Sequence, residues 1–255
     1  MKKYLIALFM AVLPVTAMAA GGGAPLDHIE VDLENKPSLQ RGMATFVNRC
    51  LGCHSADYQR YERAANDIGL PPELVQEYMI FGDQKVGEQM HNAMSKDDAA
   101  NWFGNPPPDL SLEARLRGPD WIYTYLRSFY QDPARPWGVN NVVFKDVGMP
   151  NVLEDLQGVQ INNCTPEELL HHGDAEIDPL TGARMSECLT VVDGTGKLSE
   201  EEFDQTIYDL TNFLTYMGEP YRLESERLGT KVLIFLAIFF VFAYALKKEY
   251  WKDVH

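Results

Sequence analysis

The segment "RCLGCHSADY", residues 49–58, sets Cys50 and Cys53 three positions apart with His54 directly behind them. Three chemistries use this kind of spacing: a redox dithiol, half of a zinc site, and covalent haem attachment. A redox Cys-x-x-Cys needs no adjacent histidine and sits beside a βαβ pattern, which does not surround Cys50. A structural zinc site needs a second ligand pair at matching spacing. The other two cysteines, Cys164 and Cys188, are 24 positions apart, and His171 and His172 stand alone. Cys-x-x-Cys-His is the attachment pattern of a c-type haem, in which both thiols add to the vinyl groups and the histidine becomes an axial iron ligand. Cys50 and Cys53 are therefore expected to carry one covalent haem c, with His54 on the iron.

A second axial ligand is then needed. Met43 lies one helical turn ahead of the attachment site on the same segment and cannot reach the opposite face. Met217 closes a core stripe at helical spacing, Met79, Met90 and Met94 read as packing residues, and Met185 lies between Cys164 and Cys188. Met149 differs. In "VFKDVGMPNVL" it follows Gly148 and precedes Pro150, so the chain is biased to an extended loop there. Met149 is the expected sixth ligand and His91 the runner-up. Methionine–histidine ligation raises the reduction potential and closes the iron to small molecules, which points to electron transfer.

The ends of the chain supply the compartment. Lys2 and Lys3, the apolar run Tyr4–Val15 and the small-x-small Ala17-Met18-Ala19 read as a signal peptide over residues 1–19. Leu228–Leu246 is an apolar run of 19 residues. At ~1.5 Å per residue it spans ~28 Å, about the hydrocarbon thickness of a bilayer. Lys247, Lys248 and Lys252, with Tyr250 and Trp251 at the interface, predict a cytoplasmic tail over 247–255. Residues 20–227 are then a periplasmic domain held at a bacterial inner membrane by a single pass. In an exported protein Cys164 and Cys188 most simply form a disulfide, closing a polar insertion over about 160–190.

The formal net charge is −15, and the segment between the two lysine-bearing ends is more acidic still. That balance excludes nucleic acid and allows a basic protein partner. The expected fold is mostly α. "PSLQRGMATFVNRCLGCH" reads as a helix capped by Ser38 and running into the attachment site, with Gly42 and Phe46 on one face. Ser199 and Glu202 form a capping box for a second helix with the apolar stripe Phe203, Ile207, Leu210, Leu214 and Met217. The two helices are expected to cross at the notch left by Gly42. Pro106-Pro107-Pro108 cannot be helical and predicts a rigid wall. A helix near 119–130 follows, carrying Trp121, Tyr125 and Phe129 on one face, with Arg115 and Arg117 before it as candidate partners of haem propionates. No strand pattern of any length appears.

With these pieces assembled, the chain resembles the cytochrome c1 family, the haem subunits of the ubiquinol-cytochrome c reductase (cytochrome bc1) complex. The resemblance rests on Cys50-Cys53-His54, on "AANWFGNPPPDLS" with Arg115 and Arg117 after it, on Met149 before Pro150, and on the C-terminal anchor with "KKEYWK". It implies a respiratory electron carrier that takes electrons from the Rieske iron-sulfur protein and passes them to a c-type cytochrome. Quinol oxidation would occur on a separate cytochrome b subunit, so no catalytic site for quinol is expected here. It also implies Pro107, Pro108 and Arg117 as haem-pocket residues. A free-standing, membrane-anchored shuttle is the alternative, and a sensor or haem enzyme with an open iron a more distant one. The segment bearing Cys164 and Cys188 departs from the family pattern.

Overall fold

The computed structural model describes residue 24 and residues 26–165 and 188–252. In chain order the elements are α1 (Lys36–Arg49), β1 (Ala56–Arg60), α2 (Tyr61–Ile68), α3 (Pro72–Tyr78), β2 (Gln89–Met90), α4 (Lys96–Phe103), α5 (Glu113–Arg117), α6 (Pro119–Arg127), β3 (Phe129–Gln131), β4 (Val139–Asn141), α7 (Glu154–Gln157), β5 (Gln160–Asn162), β6 (Leu189–Val191), α8 (Glu200–Gly218) and α9 (Arg222–Tyr250). Helix dominates, as expected. The strands are a finding the sequence did not announce. They pair as three antiparallel ladders, β1–β2, β3–β4 and β5–β6. Each strand has two to five residues, too few for alternation to register as a pattern.

The core is built on α1 and α8. The predicted stripe of α8 is almost completely buried, Phe203, Ile207, Leu210, Leu214 and Met217 packing with Leu39, Met43 and Phe46 of α1. The helices meet at Gly42. A Cβ there would stand 2.7 Å from the Phe213 Cβ and closer still to the Asp209 carbonyl oxygen, so only glycine permits this approach. The capping box of α8 forms as predicted. The cap of α1 does not. Asn35 takes that place, its side chain accepting from the Ser38 N–H at 3.2 Å. Asn35 is as good a capper as serine, and Pro37 favours the first turn, so the helix starts upstream. Ser38 is buried instead, and its hydroxyl donates to Asp209 Oδ1 at 2.6 Å. Arg41 and Gln205 also donate to that carboxylate. A buried carboxylate is tolerable only with such a full set of partners.

Among the described residues, α9 is the one helix long and apolar enough to cross a membrane, and none of its 29 residues is buried in the domain. It begins earlier than the apolar run. "RLESERLGTK" holds no proline, and a lone Gly229 costs only about 1 kcal/mol in a helix. Only Glu219–Tyr221 therefore separates α8 from α9, a shorter connection than the sequence suggested. The joint is pinned on both sides. The Arg63 guanidinium lies 4.4 Å from the centre of the Tyr221 ring and donates to its hydroxyl, and Arg227 pairs with Glu34 at 2.7 Å. The expected signal peptide lies outside the described residues.

Candidate haem-binding site

The last turn of α1 delivers the attachment motif. Cys50 N–H closes on the Phe46 carbonyl at 2.8 Å, and Cys53 and His54 N–H both return to the Cys50 carbonyl, at 3.0 and 2.8 Å. Cys50 and Cys53 are thus set in one tight turn, yet they are not bonded to each other. Burial, reinforced by Cys53, pushes the Cys50 thiol up to about 12. Among the described residues no group of three or more His, Cys, Asp or Glu side chains is placed to hold a metal ion.

His54 is 9 % exposed, and its Nδ1 lies 2.8 Å from the Pro108 carbonyl oxygen. A carbonyl can only accept, so Nδ1 carries the proton and Nε2 keeps its lone pair. That is the tautomer a metal-ligating imidazole uses, with the other nitrogen donating to a backbone carbonyl. Burial also pulls the imidazole pKa down, the Pro108 bond opposing it.

The proline segment is held against the exit of the motif. Leu110 N–H donates to the Ser55 carbonyl at 2.8 Å, Asp57 N–H to Asp109 Oδ2 at 2.8 Å, and Tyr58 N–H to Ser111 Oγ at 3.1 Å. With the His54–Pro108 bond, these fix residues 108–111 beside 54–58. Proline suits the place: it offers a carbonyl, brings no N–H that needs a partner and holds φ rigid. Pro107 is half-buried and Pro108 exposed.

Met149 sits on a second flank. With Tyr125 it packs on a small cluster of Phe129, Val139 and Val147. The Tyr125 hydroxyl lies 3.4 Å from Met149 Sδ. Tyr125 stacks on Trp121 with centroids 4.8 Å apart and planes at 11°, and meets Phe129 edge-on at 5.1 Å. The expected aromatic face is therefore present, although α6 ends at Arg127 and Phe129 lies in β3. The loop leading to Met149 is organised by two buried amides. Asn141 Oδ1 accepts from Val143 and Phe144 N–H, and its Nδ2 donates to the Tyr125 carbonyl at 2.8 Å. Asn140 Oδ1 accepts from Asp146 N–H at 2.8 Å, which helps hold Asp146 in the left-handed region at φ 61°. Asparagine pairs of this kind carry no distinctive spacing and leave no mark in a sequence pattern.

Arg117 lies over Trp121, its guanidinium 4.4 Å from the ring centre, and Nε donates to Glu113 at 3.1 Å. The aromatic row thus runs from Arg117 through Trp121 and Tyr125 to Met149. Arg115 pairs with Glu219 at 3.7 Å. His91, the runner-up ligand, is exposed and held by Asp57 at 2.8 Å. Met43, Met90 and Met217 are buried core residues, and Met79 packs against the same core. Met185, His171 and His172 lie outside the described residues. Cys164 and Cys188 are joined in a disulfide next to the β5–β6 ladder, and the residues between 165 and 188 lie outside the described ones.

The structure thus sets a locked imidazole behind the Cys50–Cys53 turn, holds Met149 against Tyr125, and carries one helix long and apolar enough to cross a membrane among the described residues. Comparison with known proteins agrees. The model of the Cytochrome C1 family matches residues 31–254. Cytochrome c1 of Allochromatium vinosum is 48% identical over 255 residues, covering 100% of both chains. A protein of Nitrosomonas europaea named ammonia monooxygenase gamma subunit is 41% identical over 254 residues, covering 100% of this chain and 98% of its own. Cytochrome c1 of Rhodospirillum rubrum is 28% identical over 242 residues, covering 86% of this chain and 83% of its own. The chain belongs to the cytochrome c1 family, the haem subunits of the cytochrome bc1 complex, and its role is electron transfer.

Proposed function

We propose that this chain carries one haem c, attached through thioether bonds to Cys50 and Cys53, with His54 and Met149 as its axial ligands. Bound there, the haem supplies a one-electron couple whose potential a histidine–methionine pair sets high. The observation that carries this reading is the His54 imidazole, buried and locked by the Pro108 carbonyl with Nε2 left to ligate. Pro107 and Pro108 wall the histidine side. Arg117, stacked on Trp121, offers its guanidinium to the propionates while sharing it with Glu113. Methionine on the second flank shields the iron from small ligands.

In this reading the electron arrives from a Rieske iron-sulfur protein working beside cytochrome b and leaves to a c-type cytochrome. The domain faces the periplasm of a bacterial cell, residues 1–19 being a cleaved signal peptide, and the lysine-bearing tail stays in the cytoplasm. The pinned joint between α8 and α9 supports a docked subunit over a free shuttle, because a swinging domain needs a long connector. The Nitrosomonas relative's name raises a second reading, service to a different membrane enzyme. Solubilised in mild detergent, the protein is expected to co-migrate with a cytochrome b and an iron-sulfur protein. In membranes its haem is expected to be reduced by added quinol, and a quinol-site inhibitor to block that reduction. Migration alone, with reduction insensitive to the inhibitor, would favour the shuttle. Co-migration with a monooxygenase instead would favour the second reading.

A further inference from the structure

The geometry points to Tyr125 as a positioning residue for Met149: its hydroxyl donates a hydrogen bond to the thioether sulfur, fixing the sulfur's orientation and weakening its donation to iron. This inference rests on Met149 being the axial ligand. Sulfur in a thioether carries no hydrogen, so across the 3.4 Å contact the phenol is the donor. A thioether has two lone pairs. Engaging one leaves the other for the metal, so the position of Tyr125 selects which face of the sulfur remains available.

Tyr125 is well placed to make that selection because it cannot easily turn away. Its ring is held between Trp121, stacked at 4.8 Å, and Phe129, edge-on at 5.1 Å. Its backbone carbonyl is held by the Asn141 amide at 2.8 Å, and the same Asn141 side chain organises the turn that leads to Met149. Tyrosine and methionine are thus registered to each other through one buried amide. The half-buried hydroxyl finds its partner in the sulfur.

The electronic consequence has a definite sign. A donor on sulfur withdraws density from the ligand, which stabilises ferric iron less than it would otherwise be and favours the ferrous form. Hydrogen bonds to metal ligands tune sites in this way. Tyr125→Phe keeps both ring contacts and removes only the hydroxyl. In the full chain in detergent, potentiometric titration is expected to show haem content unchanged and the potential lowered, the reduction equilibrium shifting about fivefold toward the ferric form, as for loss of one ordinary hydrogen bond. The methionine-to-iron charge-transfer band of the ferric protein is expected to move while remaining present. Loss of packing alone would leave both readouts where they were. An unchanged potential and band in Tyr125→Phe, with Met149→Leu showing a lowered potential and carbon monoxide binding, would overturn the inference and leave the ligand assignment standing. If Met149→Leu is itself silent in both, the ligand assignment falls and takes the inference with it.

Discussion

On one flank of the site, Cys50, Cys53 and His54 hang from the end of α1, whose buried face from Leu39 to Val47 packs on the length of α8. On the other, Met149 rests on three buried apolar residues, Phe129, Val139 and Val147, and on a loop organised by the amides of Asn140 and Asn141. The first support is large, apolar and non-directional, so a small defect is absorbed by many neighbours. The second is small and directional, resting on a few hydrogen bonds from two buried amides to half-buried and exposed loop backbone. In the reading proposed above, damage to the histidine flank should therefore register as loss of the domain, and damage to the methionine flank as loss of the Met149 ligand from a folded domain.

The largest effect is expected on the helix crossing. Gly42→Val would drive a side chain into the Asp209 backbone and Phe213, separating α1 from α8. Overpacking of this kind costs about 3 kcal/mol, and here it also disturbs the buried Asp209 network. The expected outcome is a lowered denaturation midpoint and a fall in covalently attached haem, both measured on purified membranes. Normal haem content and stability in this variant would show that the crossing is softer than its geometry implies.

Asn141→Ala tests the other flank. It removes the acceptor for the Val143 and Phe144 N–H groups and the donor to the Tyr125 carbonyl, a loss of about 1–2 kcal/mol, since water can reach part of this loop. Haem should stay attached, since Cys50 and Cys53 lie on the opposite support. The methionine-to-iron band should weaken, and added carbon monoxide should bind the ferrous protein. Haem lost together with the band would erase the distinction between the flanks.

The two supports were also unequally legible in the sequence. Cys50, Cys53 and His54 are consecutive in one turn, so spacing alone carried their chemistry, and the stripe and notch of α8 and α1 followed from helical period. Met149 was reachable only by eliminating other methionines and from the Gly148 and Pro150 bracket. Tyr125 was visible as part of an aromatic face but not as a neighbour of Met149, because that contact joins residues 24 apart across a loop. The Ser38 cap failed because a local preference met an equal competitor in Asn35, and a buried partner, Asp209, came from 171 residues away. The short ladders escaped notice since their pairing is set by the turns and packing around them.

A smaller effect is expected from the bridge between Cys164 and Cys188. In the chain-entropy model, closing a loop of this size contributes ~3.5 kcal/mol, and measured values often fall below it. The bridge lies near the methionine flank, since Gln160 of β5 donates to the Phe129 carbonyl at 2.7 Å and to that of Arg127 at 3.1 Å. A double serine variant is expected to keep its haem and lose stability of about 2–3 kcal/mol, with less weakening of the methionine band than Asn141→Ala shows. Complete loss of haem would make the bridge part of the attachment flank instead.

The smallest effect concerns an ion pair that ties the end of α1 to α7. Arg49, next to Cys50, holds Asp155 of α7 through two bonds of 2.8 and 3.0 Å, and Lys197 adds a third at 2.8 Å. These cations hold the Asp155 carboxyl below its ordinary range. Its folded-state pKa being lower than the unfolded one, the pair stabilises the protein above the unfolded carboxylate range. That stabilisation is lost as pH falls through the lowered folded value. The carboxylate is 39 % exposed, so solvent and salt screen it, and Asp155→Asn is expected to cost only about 0.5–1 kcal/mol near neutral pH. The wild-type and variant denaturation midpoints should converge both in high salt and below the carboxylate range. A gap that persists under both conditions would mean that Asp155 ties α7 to α1 by shape and hydrogen bonding rather than by charge.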